Sequence, residues 1–462
     1  MEDRTDRKTF RSRLDELVHT LREEIVSGHR IPGEFLPSER EFSKQYQLSN
    51  LTVRKGLELL VAEGLIYKIP RVGNKVIGPA RASGPVRLQF GYYTSIPRET
   101  GIDRLLARFR EMNPDIEVQA VPFTNESPDI VKQYLDNGMF DVITLNNNHF
   151  YTYLEQDWTD ALEPQQPDPD IYPFLTDSFK HGDKLLVQPF IYSPVILCYN
   201  REHFRDNRIP EPDGGWSWER MFDIASQLAI PGERLGFYYH FLSANRWSVF
   251  LLQRGGAFEK EANGRIRLSG TGMMEAFRFC RDVQEHFPIL SENISNGDAE
   301  QLFIQGKASV IMTSYFHLNF LQDKPVQFDI SPVPHFGRPA TLLMNIGLAV
   351  NRGSRQKEAA MKLVRFLTSE TSQLSIRRQT YSIPALKPAA EWVGDENMYR
   401  PSRFSLFREM IASFHPFTDL GIGDKKFRTI EREVKLYWAG LESEESFCSR
   451  LELLLSPSEE TL

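Results

Sequence analysis

The chain has 462 residues, of which 41% are hydrophobic, 25% charged and 12% aromatic. This globular composition excludes a collagen-like, rod-like or disordered polymer, and the length predicts more than one domain. No stretch reaches the roughly 20 apolar residues of a membrane span, and Met1-Glu2-Asp3-Arg4 is charged where a secretory signal would be apolar, so a cytoplasmic location is expected. Cys198, Cys280 and Cys448 lie far apart, which excludes a disulfide scaffold and a cysteine-based zinc site. The 10 histidines show no metal-binding spacing, so no metal and no cofactor are expected.

The net charge of −7 is unevenly spread: residues 1–82 carry 15 Lys and Arg against 12 Asp and Glu, leaving 40 basic and 50 acidic residues in the remainder. A mildly basic end on an acidic body is compatible with nucleic-acid binding confined to that end.

Phe10, Leu14, Leu17, Val18, Leu21 and Ile25 follow helical spacing and predict an amphipathic helix ended by Gly28. Ser38 with Glu41 makes a capping box for a short helix through Phe42 and Tyr46. Gln47-Leu48 makes the turn, and Ser49 caps a third helix with Val53, Leu57, Leu60 and Val61 inward and Gly64 at its end. Ile66 to Ile77, broken by Pro70-Arg71 and Gly73-Asn74, reads as a two-stranded hairpin. Two short helices joined by a tight turn and followed by a β-wing predict a winged helix-turn-helix over residues 1–78. The second helix of such a pair enters the major groove of double-stranded DNA. Its polar residues Asn50, Thr52, Arg54 and Lys55 are the expected readers.

Leu36-Pro37-Ser38-Glu39-Arg40, Leu51-Thr52-Val53-Arg54, Glu63-Gly64-Leu65-Ile66 and a wing with Gly73 resemble the DNA-binding domain of GntR-type bacterial regulators. The resemblance implies that Arg40 and Arg54 hold phosphate and read guanine, with Gly73 approaching the minor groove. Asn50 departs from the family, which usually carries an arginine there, and asparagine pairs with adenine rather than guanine. The alternative for Arg40 is a solvated ion pair with Glu41.

Residues 79–85 lie in a Pro-, Gly- and Ser-containing run without periodicity and read as a linker. Beyond it, Val86, Leu88 and Phe90 alternate as a strand ending at Gly91. Ile102, Leu105, Leu106, Phe109 and Met112 predict a helix stopped by Asn113-Pro114. Ile116, Val118 and Ala120 alternate again, and Phe140 to Leu145 is a further apolar strand. Alternating strands and helices predict an open α/β sheet with ligands at the carboxyl ends of the strands.

A second resemblance spans residues 86–462. Its motifs are Asn113-Pro114-x-Ile116-x-Val118, Asp141-Val142-Ile143, Gln188-Pro189-Phe190 with Tyr199-Asn200, Trp216-x-Trp218-Glu219, Leu302-Phe303-x2-Gly306-Lys307-Ala308, Val364-x-Phe366-Leu367 and Ile383-Pro384. In this order they resemble the carbohydrate-type solute-binding proteins of ABC importers. The resemblance implies a two-lobed α/β fold of the type II periplasmic-binding-protein kind, with ligand trapped between the lobes. One lobe would hold about 86–193 and 345–390, the other about 194–344 and 391–462.

Sugars need aromatic faces and planar polar groups. The expected cleft residues at strand ends are Tyr93, Thr94 and Ser95 after the first strand, and Asn146, Asn147 and Asn148 after Leu145, the latter run being alternatively a solvated turn. By the family pattern Tyr192 and Ser193 lie at the first lobe crossing, Tyr315 and Phe316 follow the Gly306-Lys307 segment, and Met344-Asn345 lies at the return crossing. Trp247 is either a stacking platform or core, while Trp216 and Trp218 are expected to be structural.

An aminotransferase-like body would need a Schiff-base lysine with phosphate-cradling partners, and Lys307, in a helix-like Gly-Lys-Ala segment, has none. There is no G-x-S-x-G and no Walker-type loop, so the sequence offers no catalytic case. The expectation is a DNA-binding transcription regulator, most simply a homodimer on a pseudo-palindromic operator, controlled by a small-molecule effector of sugar type. The alternatives are a non-sugar solute or a body that serves only dimerisation or a protein partner.

Overall fold

The stripe at Leu17, Val18, Leu21 and Ile25 forms the buried face of α1 (Phe10–Val26) in the computed structural model. The structure describes residues 10–27, 29–70, 72–77, 85–124, 127–286, 297–395 and 398–456. Gly28, Arg71 and most of the expected linker lie outside those residues. The chain divides into two units, 1–85 and 86–462.

In the first unit, Ser38 caps α2 (Glu39–Tyr46): its hydroxyl accepts from the Glu41 N–H, and the Glu41 carboxylate accepts from the Ser38 N–H at 2.7 Å. Gln47 takes the left-handed conformation (φ 53°) that ends this short helix. Ser49 then caps α3 (Asn50–Ala62). Val53, Leu57 and Leu60 of α3 pack with α1, Phe42 and Leu48. Val61, expected inward, is 38% exposed. The i, i+4, i+7 stripe from Val53 already fills the core face, and Val61 lies one helical step past it. Strands β1 (Ile66–Ile69) and β2 (Gly73–Val76) pair antiparallel, Ile66 opposite Val76 and Ile69 opposite Gly73, as the wing.

The second unit opens with β3 (Val86–Tyr93), which runs past Gly91 to Tyr93. A short helix α4 (Ile96–Thr100), then α5 (Ile102–Met112), β4 (Ile116–Phe123), α6 (Pro128–Asp136) and β5 (Val142–Asn146) follow. β3 lies parallel to β4 and β5, as crossover helices require. α7 (Asn147–Glu155) starts without a loop, because the Asn146 side chain accepts from the His149 N–H and acts as N-cap. The Asn run therefore ends a strand and begins a helix.

The 14-residue β6 (Val187–Asn200) is buried throughout. Later come α8 (Trp218–Leu228), capped by Ser217 between Trp216 and Trp218, then β7 (Leu235–Tyr238), α9 (Ala244–Arg254), β8 (Ala308–Ser314) and β9 (Phe328–Ser331). β10 (Thr341–Val350), α10 (Lys357–Leu367), α11 (Asp424–Trp438) and α12 (Glu444–Leu455) complete the frame. Lys307 is not helical: Gly306 (φ 71°) turns the chain, and the Lys307 carbonyl accepts from the Leu235 N–H beside β8.

The strand order is β4-β3-β5-β10-β6-β8-β7. The two long strands β6 and β10 pair antiparallel and carry the sheet from one lobe to the other. Val187 to Ile191 face β10, while Val195 to Tyr199 face β8. One core gathers Leu88, Phe90, Phe109 and Val142 with Leu363 and Leu367 of α10. A second gathers Trp218, Phe237, Trp247, Ile430 and Phe447. A third joins Ile196, Ile311, Tyr315, Tyr381 and Phe404. The unit is a two-lobed α/β fold.

Candidate functional site

Two surfaces carry the polar residues singled out in the sequence, one in each unit. In the first unit Arg40, Asn50, Arg54 and Gly73 line one surface cleft, together with Glu39, Lys68 and Asn74. Lys55 is exposed on α3 but does not line that cleft. Among the described residues Arg40 forms no ion pair, and Glu41 caps α2 instead. Thr52 is not an exposed reader: it is buried, its hydroxyl 2.8 Å from that of Ser49, inside the cap of α3. Sequence reasoning missed Glu39 and Lys68. Glu39 accepts from Arg54 Nη2 at 2.8 Å and lies 3.6 Å from Lys68 Nζ, and these cations hold its carboxyl below the usual range.

In the second unit a cavity of about 670 Å³ opens between the lobes. Tyr93, Thr94 and Ser95 reach it from the end of β3, Asn146 to His149 from the start of α7, and Met344 and Ile346 from β10. Leu242 to Arg246 enter at the start of α9, Ser314 at the end of β8 with Phe316 and His317 just beyond it, and Asp424, Phe427, Arg428 and Glu431 from α11. Aromatic and thioether faces thus meet a ring of polar groups, the mixture a sugar-sized solute needs.

The polar groups are held by one another. The Tyr93 hydroxyl accepts from the Asn146 N–H at 3.2 Å and lies 3.2 Å from His149 Nδ1. Burial pushes that hydroxyl up and lowers His149 to about 4, so the imidazole is neutral at pH 7. The Asn147 side chain accepts from the Asn345 N–H, which ties α7 to the crossing strand. Asn148 Nδ2 donates to Asp424 Oδ1 at 2.8 Å, and Asp424 Oδ2 pairs with Arg428 at 2.7 Å, so the α7 and α11 walls are linked. Burial pushes Glu99 up to about 7 and leaves its Oε2 without a partner, and burial raises Glu431 as well. Arg246 is 3% exposed, and burial lowers it to about 10. Behind it, burial would raise Glu300, but His317 at 3.3 Å, Arg246 and the Thr313 hydroxyl hold it below its ordinary value.

Of the expected ligand residues, Tyr93, Thr94, Ser95, Asn146, Asn147, Asn148, Phe316 and Met344 line the cavity. The others do not. Trp247 is 1% exposed and stacks on Phe427 at 5.3 Å and 17°, so it is core rather than a platform. Tyr192 packs among Tyr172, Phe174 and Phe407. Tyr315 donates to the Phe404 carbonyl at 2.8 Å. The Ser193 hydroxyl accepts from the Phe316 N–H and so holds the backbone of that cavity residue, and Asn345 donates to Leu175 O and Ser178 Oγ. Asn345 alternates on β10 with the cavity residues Met344 and Ile346, and Tyr315 lies between Ser314 and Phe316, whereas no residue of β6, which carries Tyr192 and Ser193, lines the cavity. Glu99, His149, Arg246, His317, Asp424, Arg428 and Glu431 were missed. A polar run at a helix start, Ser243-Ala244-Asn245-Arg246, was the available signal for Arg246; nothing local marks α11.

Among the described residues no group of three His, Cys, Asp or Glu side chains could hold a metal ion, and no helix is long and apolar enough to cross a membrane. Residues 104–399 match the family of bacterial extracellular solute-binding proteins, and residues 14–76 match the bacterial regulatory proteins of the gntR family. Neither is an enzyme family. The chain is 21% identical over 314 residues to the galactooligosaccharide-binding protein of Bacillus subtilis, covering 63% of this chain and 72% of that protein. It is 39% identical over 64 residues to the HTH-type transcriptional repressor NagR of Bacillus subtilis, a match spanning 14% of this chain and only 26% of that relative. The ABC substrate-binding protein Lmo0181 of Listeria monocytogenes, solved in complex with cycloalternan, superposes with a TM-score of 0.65 at 19% identity, over 80% of this chain and 98% of that one, a likeness of fold alone. The chain belongs to the bacterial extracellular solute-binding protein family and carries at its amino-terminal end a winged helix-turn-helix domain of the gntR family of bacterial regulatory proteins.

Proposed function

We propose that this protein is a cytoplasmic, homodimeric transcription regulator whose operator binding is controlled by a sugar or oligosaccharide held between the two lobes. The observation that carries the reading is the interlobe cavity, where Phe316 and Met344 offer apolar faces beside Thr94, Ser95 and Asn148. The relatives named above, one binding galactooligosaccharide and one solved with cycloalternan, support a carbohydrate class. Residues 1–78 would be the DNA-binding domain, with Arg40, Asn50, Arg54, Lys55 and Gly73 at the operator, and 86–462 the effector domain. A ligand touching both α7 and α11 binds the closed arrangement better than the open one, and that differential affinity is what shifts the equilibrium.

Thermal unfolding of the full chain against mono- and oligosaccharides tests this. A ligand at a hundred times its dissociation constant stabilises the native state by about 2.7 kcal/mol, a readable shift in Tm. A shift with one glycan class, accompanied by altered operator affinity, is the expected result. No shift with any solute moves the body to a dimerisation or protein-partner role.

A further inference from the structure

Arg246 has five N–H donors, a buried side chain and a place on the cavity wall, yet its guanidinium makes no hydrogen bond and no ion pair among the described residues. The carboxylate whose charge acts on it, Glu300, is already engaged: it accepts from Thr313 and lies 3.3 Å from His317 Nδ1. The other ionised pair on the wall is closed on itself, Asp424 being held by Arg428 and Asn148. A buried guanidinium whose N–H donors no hydrogen bond satisfies is costly, and a ligand group in the cavity can satisfy them.

The same spot holds the amino-terminal end of an 11-residue helix. Arg246 is the third residue of α9, and the Ser243 N-cap makes no side-chain hydrogen bond to it. The Arg246 and Trp247 N–H groups bond back to the Ser243 carbonyl, at 2.8 and 3.3 Å, which leaves the Ala244 and Asn245 N–H groups at the cavity wall. Free first-turn N–H groups and the positive end of the helix dipole favour an anion. A planar guanidinium beside them suits a two-oxygen or three-oxygen acid group.

We infer that the solute bound in this cavity carries a carboxylate or phosphate group seated on Arg246 and the start of α9, making it a sugar acid or a sugar phosphate rather than a neutral sugar. This rests on the effector reading above and narrows it to a chemical class. Apolar Phe316 and Met344 then face the body of the solute, while the acid group fixes its orientation.

The test is thermal unfolding and titration calorimetry of the full chain in a phosphate-free buffer. The acidic probes are D-glucuronate, D-galacturonate, D-gluconate, D-glucose 6-phosphate and sn-glycerol 3-phosphate. D-glucose, D-galactose and maltose are the neutral set, and inorganic phosphate serves as competitor. The expected result is a Tm rise with an acidic probe only, with the carboxylate or phosphate arm telling the source of the charge. Arg246→Met should weaken that probe on the order of tenfold to a hundredfold. Asn245→Asp, at an exposed position where an acid suits the helix start, should weaken it as well without risk to folding. Neutral sugars that bind while acidic ones do not, or acidic binding untouched in both variants, would overturn the inference and leave the sugar-sensor reading standing. Silence from both sets would overturn the two together.

Discussion

The Glu39 carboxylate on α2 grips the Arg54 guanidinium on α3, Oε2 accepting from Nη2 at 2.8 Å and from Nε at 3.2 Å. The pair ties the first helix of the motif to the second and fixes where the arginine points. Arg54→Ala should weaken operator binding roughly tenfold to a hundredfold, the value of one bidentate base contact. Glu39→Gln should act differently: removing a negative charge from the cleft tightens binding to random DNA, while a freed Arg54 loses discrimination. Fluorescence anisotropy with operator and scrambled duplexes at one ionic strength reads both, and an unchanged operator-to-random ratio in Glu39→Gln would show that the ion pair orients nothing.

Tyr93→Phe removes the hydroxyl that satisfies the Asn146 N–H and faces His149 Nδ1. Leaving buried polar groups without a partner costs about 1–3 kcal/mol, so the midpoint in urea should fall while the m-value stays constant. Because Asn146 also caps α7, whose first residues line the cavity, ligand affinity should fall with it.

Glu99 gives a pH signature of defined sign. Its folded value, about 7, lies above the ordinary 4.5, because burial disfavours the carboxylate. Between these values the folded chain binds more protons than the unfolded chain, so stability from this group is full below 4.5 and is lost as pH rises to 7. The loss is about 3 kcal/mol. Glu99→Gln should remove that slope, and the variant should be the more stable of the two proteins in denaturation at pH 8.

Gly347 sits where the β10 register slips against β6, and a Cβ there would meet Val187 Cγ1 at 2.6 Å and the Gln188 carbonyl at 2.7 Å. Neither strand can yield without disturbing the lobe crossing. Gly347→Ala should therefore cost roughly 1–3 kcal/mol or more by overpacking, read as a lowered Tm. If the variant melts like the parent, the crossing is more pliant than its packing indicates.

The winged motif was legible because its signals are local: Ser38 and Glu41 cap one helix, Ser49 the next, and Gln47 turns between them within one short stretch. Strand-end positions of the cavity were legible for the same reason, Tyr93 to Ser95 and Asn146 to Asn148 following apolar runs that end there. The errors have a common physical cause. Tyr192 and Asn345 lie opposite each other on paired strands buried along nearly their whole length, and such a run carries little polar–apolar alternation from which to tell the cavity side. Trp247 followed a polar run and so looked available, but its side chain turns to Phe427, a residue 180 positions later.

Sequence alone determined the helix-turn-helix with its wing and the first alternating strands and helix of the body, because caps, turns and apolar periodicity act over a few residues; the two lobes were what the family resemblance implied, and the order of the strands in the sheet came only with the tertiary structure. Only the tertiary structure decided which charges share the cavity. Arg246, Asp424 and Glu99 come from three distant stretches of chain, and their meeting depends on β6 and β10 carrying the sheet between lobes. Burial and partnership set what each charge does: Asp424 is paired, Glu99 is pushed toward its neutral form, and Arg246 is left facing the space a ligand would fill.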